Sequence, residues 1–346
     1  VEHSALVRCR DRLVQAGVKL GAYTNAANAQ DLRDLREALG YAQWNVFGIS
    51  YGTRLALSAA RYDPQGIRSM ILDSVYPPQA NLFTSMPSSL DQALQTLYKG
   101  CAASPACQRA YPDLQGTFER LVARLDAQPV TIRLRDPRSG KRIAMVIDGS
   151  RMTEVVFRSL YRSELLPQLP KVIAATAKGV YGPLAELEAQ RLKRMQGHSP
   201  AMYYAVECST DLGGTTFEER SAAAAGFPQL ASYFAGLQEF TPMSAGICDA
   251  WGIGPEQMEA PTALQSDIPT LLLAGEYDPI TPASWAQLAA ETLSRSEVYI
   301  FPGTGHAAIT RGGCPRRMMA AFLDHFSAAE AGVCHSQFGG PAFAIK

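Results

Sequence analysis

Two hydrophobic periods alternate along this chain, and the changes between them organise it. Trp44-Asn45-Val46-Phe47-Gly48-Ile49 reads as a short apolar strand, and residues 52–62 follow as a helix that stops before Asp63-Pro64. Upstream, residues 3–16 read as helical. Asp31–Leu39 is an amphipathic helix, apolar at Leu32, Leu35, Ala38 and Leu39, that leads in through Gly40. Downstream, Ser69-Met70-Ile71-Leu72-Asp73-Ser74-Val75 is a second buried strand, stopped by Pro77-Pro78. Strand, helix, strand at this spacing predicts an α/β chain with a parallel sheet.

The rhythm then breaks. Residues 88–99, 113–127, 151–161, 167–178, 183–195 and 217–236 read as helices. Val130–Leu134 and Ile143–Ile147 flank Pro137-Arg138-Ser139-Gly140 as a hairpin. A helical block between sheet strands predicts an inserted cap. The sheet returns at Ile268–Gly275, with a helix from Pro282, a strand over Glu297–Phe301 and a last helix over 315–326. The expected division is core over 1–76, mostly helical cap over 77–262, and core again over 263–346.

Lys plus Arg and Asp plus Glu both number 32, so no charge excess points to nucleic acid. No apolar run approaches the ~20 residues of a membrane span, and Val1-Glu2-His3-Ser4, which opens into a polar, helical-looking segment, is not expected to be a signal peptide. Position 1 is Val, not Met, so a boundary set by processing or cloning is expected there. Of seven cysteines, Cys101 with Cys107, Cys208 with Cys248, and Cys314 with Cys334 can pair locally, leaving Cys9 alone. An all-thiol chain is the alternative. The spacings do not suit zinc, and the expected cofactors and metals are none.

Between the first strand and its helix lies Gly48-Ile49-Ser50-Tyr51-Gly52, a G-x-S-x-G. A serine on so sharp a turn is held in a strained conformation with its hydroxyl exposed. Side chains in place of either flanking glycine are expected to collide with the neighbouring strand and helix. The helix N-terminus favours negative charge where an oxyanion would form. Asp278, in Glu276-Tyr277-Asp278-Pro279, and His306, in Pro302-Gly303-Thr304-Gly305-His306, also follow predicted strands. Ligands of open α/β sheets bind at that edge. An imidazole that takes the serine proton, oriented by a carboxylate, makes the hydroxyl a nucleophile. Each has a plainer reading: Ser50 a turn residue, Asp278 a helix cap, His306 a loop histidine. Asp73 is a rival acid, and His3, His198, His325 and His335 do not follow predicted sheet strands. Gly303–Ala308 fits G-x-G-x-x-A, but no full βαβ unit follows it, so no dinucleotide site is expected.

Trp44–Leu55, Leu72–Pro78, Ser266–Leu271, Ala274–Pro282 and Phe301–His306 together resemble a known family. It is the serine peptidases of the prolyl-aminopeptidase group within the α/β hydrolases, and the likeness is greatest to secreted actinobacterial tripeptidyl aminopeptidases. The resemblance implies an α/β-hydrolase fold with Ser50 as nucleophile, Asp278 as acid, His306 as base and the Tyr51 N–H as an oxyanion donor. It implies a peptide substrate whose free N-terminus binds acidic cap side chains. Glu207 and Asp211 are the first to test, against a reading as solvated loop charges. It also implies a secreted or cell-envelope bacterial protein. The family's glycine-rich oxyanion loop has no counterpart before Ser50, and the residues ahead of Trp44 read as helix and loop. The first strands of the sheet are therefore expected to be absent from this chain and supplied by an N-terminal segment of the same precursor. An unpaired apolar edge at the elbow strand is an aggregation hazard, and the lone Cys9 fits the same idea. The rival readings are a carboxylesterase on small acyl esters and a catalytically dead binding protein.

Overall fold

The computed structural model describes residues 2–193, 199–240, 246–254, 259–329 and 331–345. Helices α1 (Glu2–Gln15) and α2 (Asn25–Ala38) precede strand β1 (Trp44–Ile49), helix α3 (Tyr51–Tyr62) and strand β2 (Ile67–Asp73). A long helical stretch follows: α4 (Leu82–Ala103), α5 (Pro105–Ala110) and α6 (Leu114–Ala127), then strands β3 (Val130–Arg135) and β4 (Arg142–Ile147). It continues through α7 (Gly149–Leu160), α8 (Leu169–Ala177), α9 (Gly182–Lys193), α10 (Pro200–Cys208), α11 (Phe217–Ala225), α12 (Ala231–Phe240) and α13 (Ile247–Trp251). Strand β5 (Thr270–Gly275), helix α14 (Ala283–Ala290), strand β6 (Ser296–Phe301) and helix α15 (Gly313–His325) follow, then a 3-10 helix over Ala331–Gln337.

The main sheet has four strands in the order β1-β2-β5-β6, all parallel. Parallel strands covered on both faces carry apolar side chains in both directions, and β2 and β5 do so. Met70, Leu72, Leu272 and Ala274 pack with Ala56 and Leu57 of α3 and Ala286 and Ala289 of α14. Ile71, Leu271 and Leu273 point the other way, onto Met318 and Phe322 of α15. The helices between β2 and β5 have their own core, which includes Leu94, Phe118, Val156 and Leu166. The β3–β4 hairpin is antiparallel, as its sequence predicts.

β1 lies at the edge of the sheet, and its Phe47 is 45% exposed. Among the described residues no strand pairs with its outer side, as the sequence leads one to expect of this apolar edge. Among the described residues, Cys101–Cys107, Cys208–Cys248 and Cys314–Cys334 form disulfides and Cys9 is free. Also among them, no helix is long and apolar enough to cross a membrane.

Three local expectations need correction. The helix predicted over 217–236 is two, α11 and α12, because Pro228 opens a 3-10 turn between them. β2 stops at Asp73, since Ser74 turns to φ 58°. Helix α10 was not anticipated. The last two residues of the helix predicted over 183–195 lie outside the described residues, as does His198.

Candidate active site

The β1–α3 turn is as tight as its sequence demands. Ser50 has φ 57° and ψ −125°, a region that costs a non-glycine residue roughly 1–3 kcal/mol. Its backbone N–H donates to the Asp73 carbonyl at 2.9 Å, so the turn continues the β1–β2 ladder. Its own carbonyl accepts from the Thr53 N–H at 2.9 Å and the Thr53 hydroxyl at 2.7 Å. A Cβ on Gly48 would run into the backbone of Gly52 and Thr53. The same expectation fails at Gly52, where an added Cβ meets nothing within 4 Å. That side of the elbow faces open space. Gly48→Ala is accordingly expected to destabilise the fold by about 1–3 kcal/mol through backbone overlap, and Gly52→Ala much less; thermal melts of the two variants check this.

Three of the four non-glycine residues with positive φ among the described residues lie at this edge: Ser50, Ser74 and Ala307. Clustered strain of this kind is characteristic of functional sites. Ser74 and Ala307 belong to one clamp. The Ala307 N–H donates to the Ser74 hydroxyl at 2.8 Å, and the next two backbone N–H groups donate to the two Asp73 carboxylate oxygens at 2.8 and 2.9 Å. The loop that carries His306 is thereby fixed to the strand beside Ser50. Burial pushes the Asp73 carboxyl up to about 6, against the pull of those two N–H donors. Asp73 thus holds the loop backbone rather than the imidazole.

Asp278 does face the imidazole. Its Oδ2 lies 2.8 Å from His306 Nδ1. The same oxygen accepts from the Thr281 hydroxyl at 2.7 Å, and Oδ1 accepts from the backbone N–H groups of Ile280 and Thr281 at 3.1 Å each. Burial opposes ionisation of Asp278, but His306 and these donors outweigh it and hold the carboxyl below its ordinary value. Burial likewise opposes charge on the imidazole, and the Asp278 carboxylate overcomes that and raises the His306 pKa. The Tyr161 ring packs against the imidazole with centroids 4.8 Å apart. Sequence reasoning missed Thr281, Ser74 and Tyr161; only the positions of the first two beside strand ends hinted at them. The glycine-rich stretch Gly303–Ala308 serves this packing. A Cβ on Gly305 would strike the backbone of Leu160 and Tyr161, and the loop leads into a short 3-10 turn at Ala308–Arg311.

The two cap carboxylates differ. Asp211 is fully engaged: it pairs with Arg54 at 2.8 Å, accepts from the Leu82 N–H at 2.7 Å and takes a short hydrogen bond from the Tyr76 hydroxyl. Glu207, one helical turn earlier and 6% exposed, has an Oε2 with no hydrogen-bond partner among the described residues. Burial, reinforced by Asp211, pushes its carboxyl up to about 8. Glu207 lies within electrostatic reach of Tyr51, Tyr76 and Tyr203, which places it near the elbow. Tyr51 itself is anchored through its hydroxyl to Asn25 at 2.7 Å, and Asn25 donates in turn to Glu259 at 2.6 Å.

The chain is 25% identical over 337 residues to serine protease Hip1 of Mycobacterium tuberculosis, covering 91% of this chain and 62% of that protein. It is 25% identical over 202 residues to tripeptidyl aminopeptidase of Streptomyces lividans, covering 56% of this chain and 36% of that protein. It thus spans less than two thirds of the length of these relatives. A solved structure of MGS-M2, an α/β-hydrolase enzyme from a Medee basin deep-sea metagenome library, overlays 88% of this chain and 72% of its own at 16% identity with a TM-score of 0.37. The model of the α/β-hydrolase fold matches residues 8–311, from α1 to the loop beyond His306. With its serine elbow, its parallel sheet and its strand-end carboxylate–imidazole pair inside that span, the chain belongs to the α/β-hydrolase fold family.

Proposed function

We propose that this protein is a serine hydrolase working through an acyl-enzyme, and that it is an aminopeptidase releasing residues or short peptides from free N-termini. Ser50 is the nucleophile, His306 the base and Asp278 the acid; the Tyr51 N–H supplies one oxyanion donor. The observation that carries the reading is the Asp278–His306 contact at 2.8 Å, on the sheet edge where Ser50 is held at φ 57°. Peptidase relatives favour a peptide substrate. Glu207 favours a free amine, because a buried carboxylate with an unpartnered oxygen gains most from a cation. The segment 77–262 acts as the cap that carries Glu207.

The exposed Phe47 edge of β1 and the open space at Gly52 are read as the seat of a further strand, from an N-terminal segment of the same precursor. A co-purifying fragment in the intact mass of unreduced protein is the expected sign. The three disulfides suit an oxidising compartment, so secretion or residence in a bacterial cell envelope is part of the proposal.

The test compares peptidyl amides with a free N-terminus, the same amides acetylated, and short nitrophenyl esters. Cleavage of the first set alone supports the reading. Cleavage of the esters alone supports a carboxylesterase. For an amide that is cleaved, kcat/KM should rise with pH, because only neutral imidazole accepts the serine proton. Asp278 raises the His306 pKa, so the midpoint should lie above the ordinary imidazole value. A midpoint below it would contradict the pairing.

A further inference from the structure

A cavity of about 510 Å3 opens on the flank of His306. One wall is the turn after α7, with Tyr161, Arg162, Ser163 and Glu164; the other is the histidine loop, with Thr310 and Arg311. Ser50 is not among the residues lining it. The two walls are locked together. The His306 N–H donates to the Tyr161 carbonyl at 2.9 Å, and the Gly305 N–H to the Ser163 hydroxyl at 3.0 Å.

Among the described residues that line the cavity, the charges do not balance. Arg162 grips Glu164 through two donors, at 3.0 and 2.5 Å. Arg311 is exposed and lies over the Phe338 ring at 5.4 Å, with no carboxylate in ion-pair contact among the described residues. Two guanidiniums thus face one carboxylate. A guanidinium left over at the wall of a cleft favours an anion, and a carboxylate matches its forked donors.

The chemistry says which part of a substrate would meet it. When a serine attacks an amide, the histidine takes the hydroxyl proton and passes it to the departing nitrogen, so the leaving half lies on the histidine side of the acyl carbon. A cavity that touches His306 but not Ser50 is on that side. Resting on the aminopeptidase reading above, we propose that this cavity receives the leaving half of the peptide. Arg311 reads a carboxylate there, either the C-terminus of a short peptide or an acidic side chain.

The experiment uses four peptides with one acyl half. Two differ in ending as a free acid or an amide; two, both amide-ended, carry Glu or Gln in the leaving half. A kcat/KM ratio of roughly 5 to 10 for acid over amide identifies the terminal carboxylate, and the same ratio for Glu over Gln identifies the side chain. In Arg311→Gln the ratio should fall to within about two-fold of one, while Arg311→Lys keeps part of it. Peptides cleaved with both ratios near one would overturn the subsite and leave the aminopeptidase reading intact. No turnover of any peptide would overturn both. A ratio that survives in Arg311→Gln would remove Arg311 from the assignment. Should that variant fail to fold, the wild-type ratios and the lysine variant decide.

Discussion

Replacing Ser50 with alanine is expected to lower kcat by about 10^4-fold or more, equivalent to at least ~5 kcal/mol of lost transition-state stabilisation. Removing the nucleophile removes the covalent intermediate, and His306 then has no proton to take. Fluorophosphonate labelling should vanish in step. The same position offers a second readout. The strained φ of 57° suits glycine better than serine or alanine. Ser50→Gly is therefore expected to be equally inactive but more stable than the wild type by about 1 kcal/mol. Inactivity with unchanged or raised stability locates the defect in chemistry, not in folding. Residual activity above about one per cent in both variants would place the nucleophile elsewhere.

The contrast between the elbow and the rest of the site shows what a sequence can carry. Ser50, Asp278 and His306 are the residues the sequence proposes because each follows an apolar run that reads as a strand, and a parallel sheet puts all such ends on one edge. Asp73 follows such a run too. What separates it from Asp278 is a contact more than 230 positions away, where its two oxygens take the N–H groups of Ala308 and Ile309. No local pattern encodes that. Glu207 and Asp211 are alike in the sequence for the same reason. Asp211 pairs directly with Arg54, a side chain of the elbow helix, whereas at Glu207 the pull of Arg54 does not offset burial and Oε2 has no hydrogen-bond partner among the described residues. Helix α10, which bears Glu207, was missed because Tyr204, Ala205 and Val206 are buried in succession. A helix packed on several sides loses the stripe that betrays it. The glycines divide similarly. Gly48 obeys the local steric argument, whereas the outcome at Gly52 depends on what lies beside it in space.

Glu207→Gln should separate stability from function more sharply than any other substitution here. A carboxyl whose pKa is raised on folding binds its proton more tightly in the native state. Stability is therefore fully retained below the unfolded value near 4.5 and lost as pH rises from there to about 8. At 1.36 kcal/mol per pKa unit the loss above pH 8 is of order 4–5 kcal/mol. Glutamine carries no such charge, so the variant should match the wild type at pH 4 and exceed it by a few kcal/mol at pH 9, read from denaturant midpoints at the two pH values. The cost falls on the substrate. An α-ammonium group would meet a neutral amide in place of a carboxylate, and kcat/KM for free-amine peptides should fall by about 100-fold, chiefly through KM. In the wild type that parameter should also climb with pH as Glu207 ionises, a limb that Glu207→Gln would lack. Native protein would then carry a destabilising buried acid whose reward is substrate recognition, the usual trade at a binding site. A variant that is stabilised yet cleaves free-amine peptides as well as the wild type would show that Glu207 is merely buried, and amine recognition would have to be sought on another side chain.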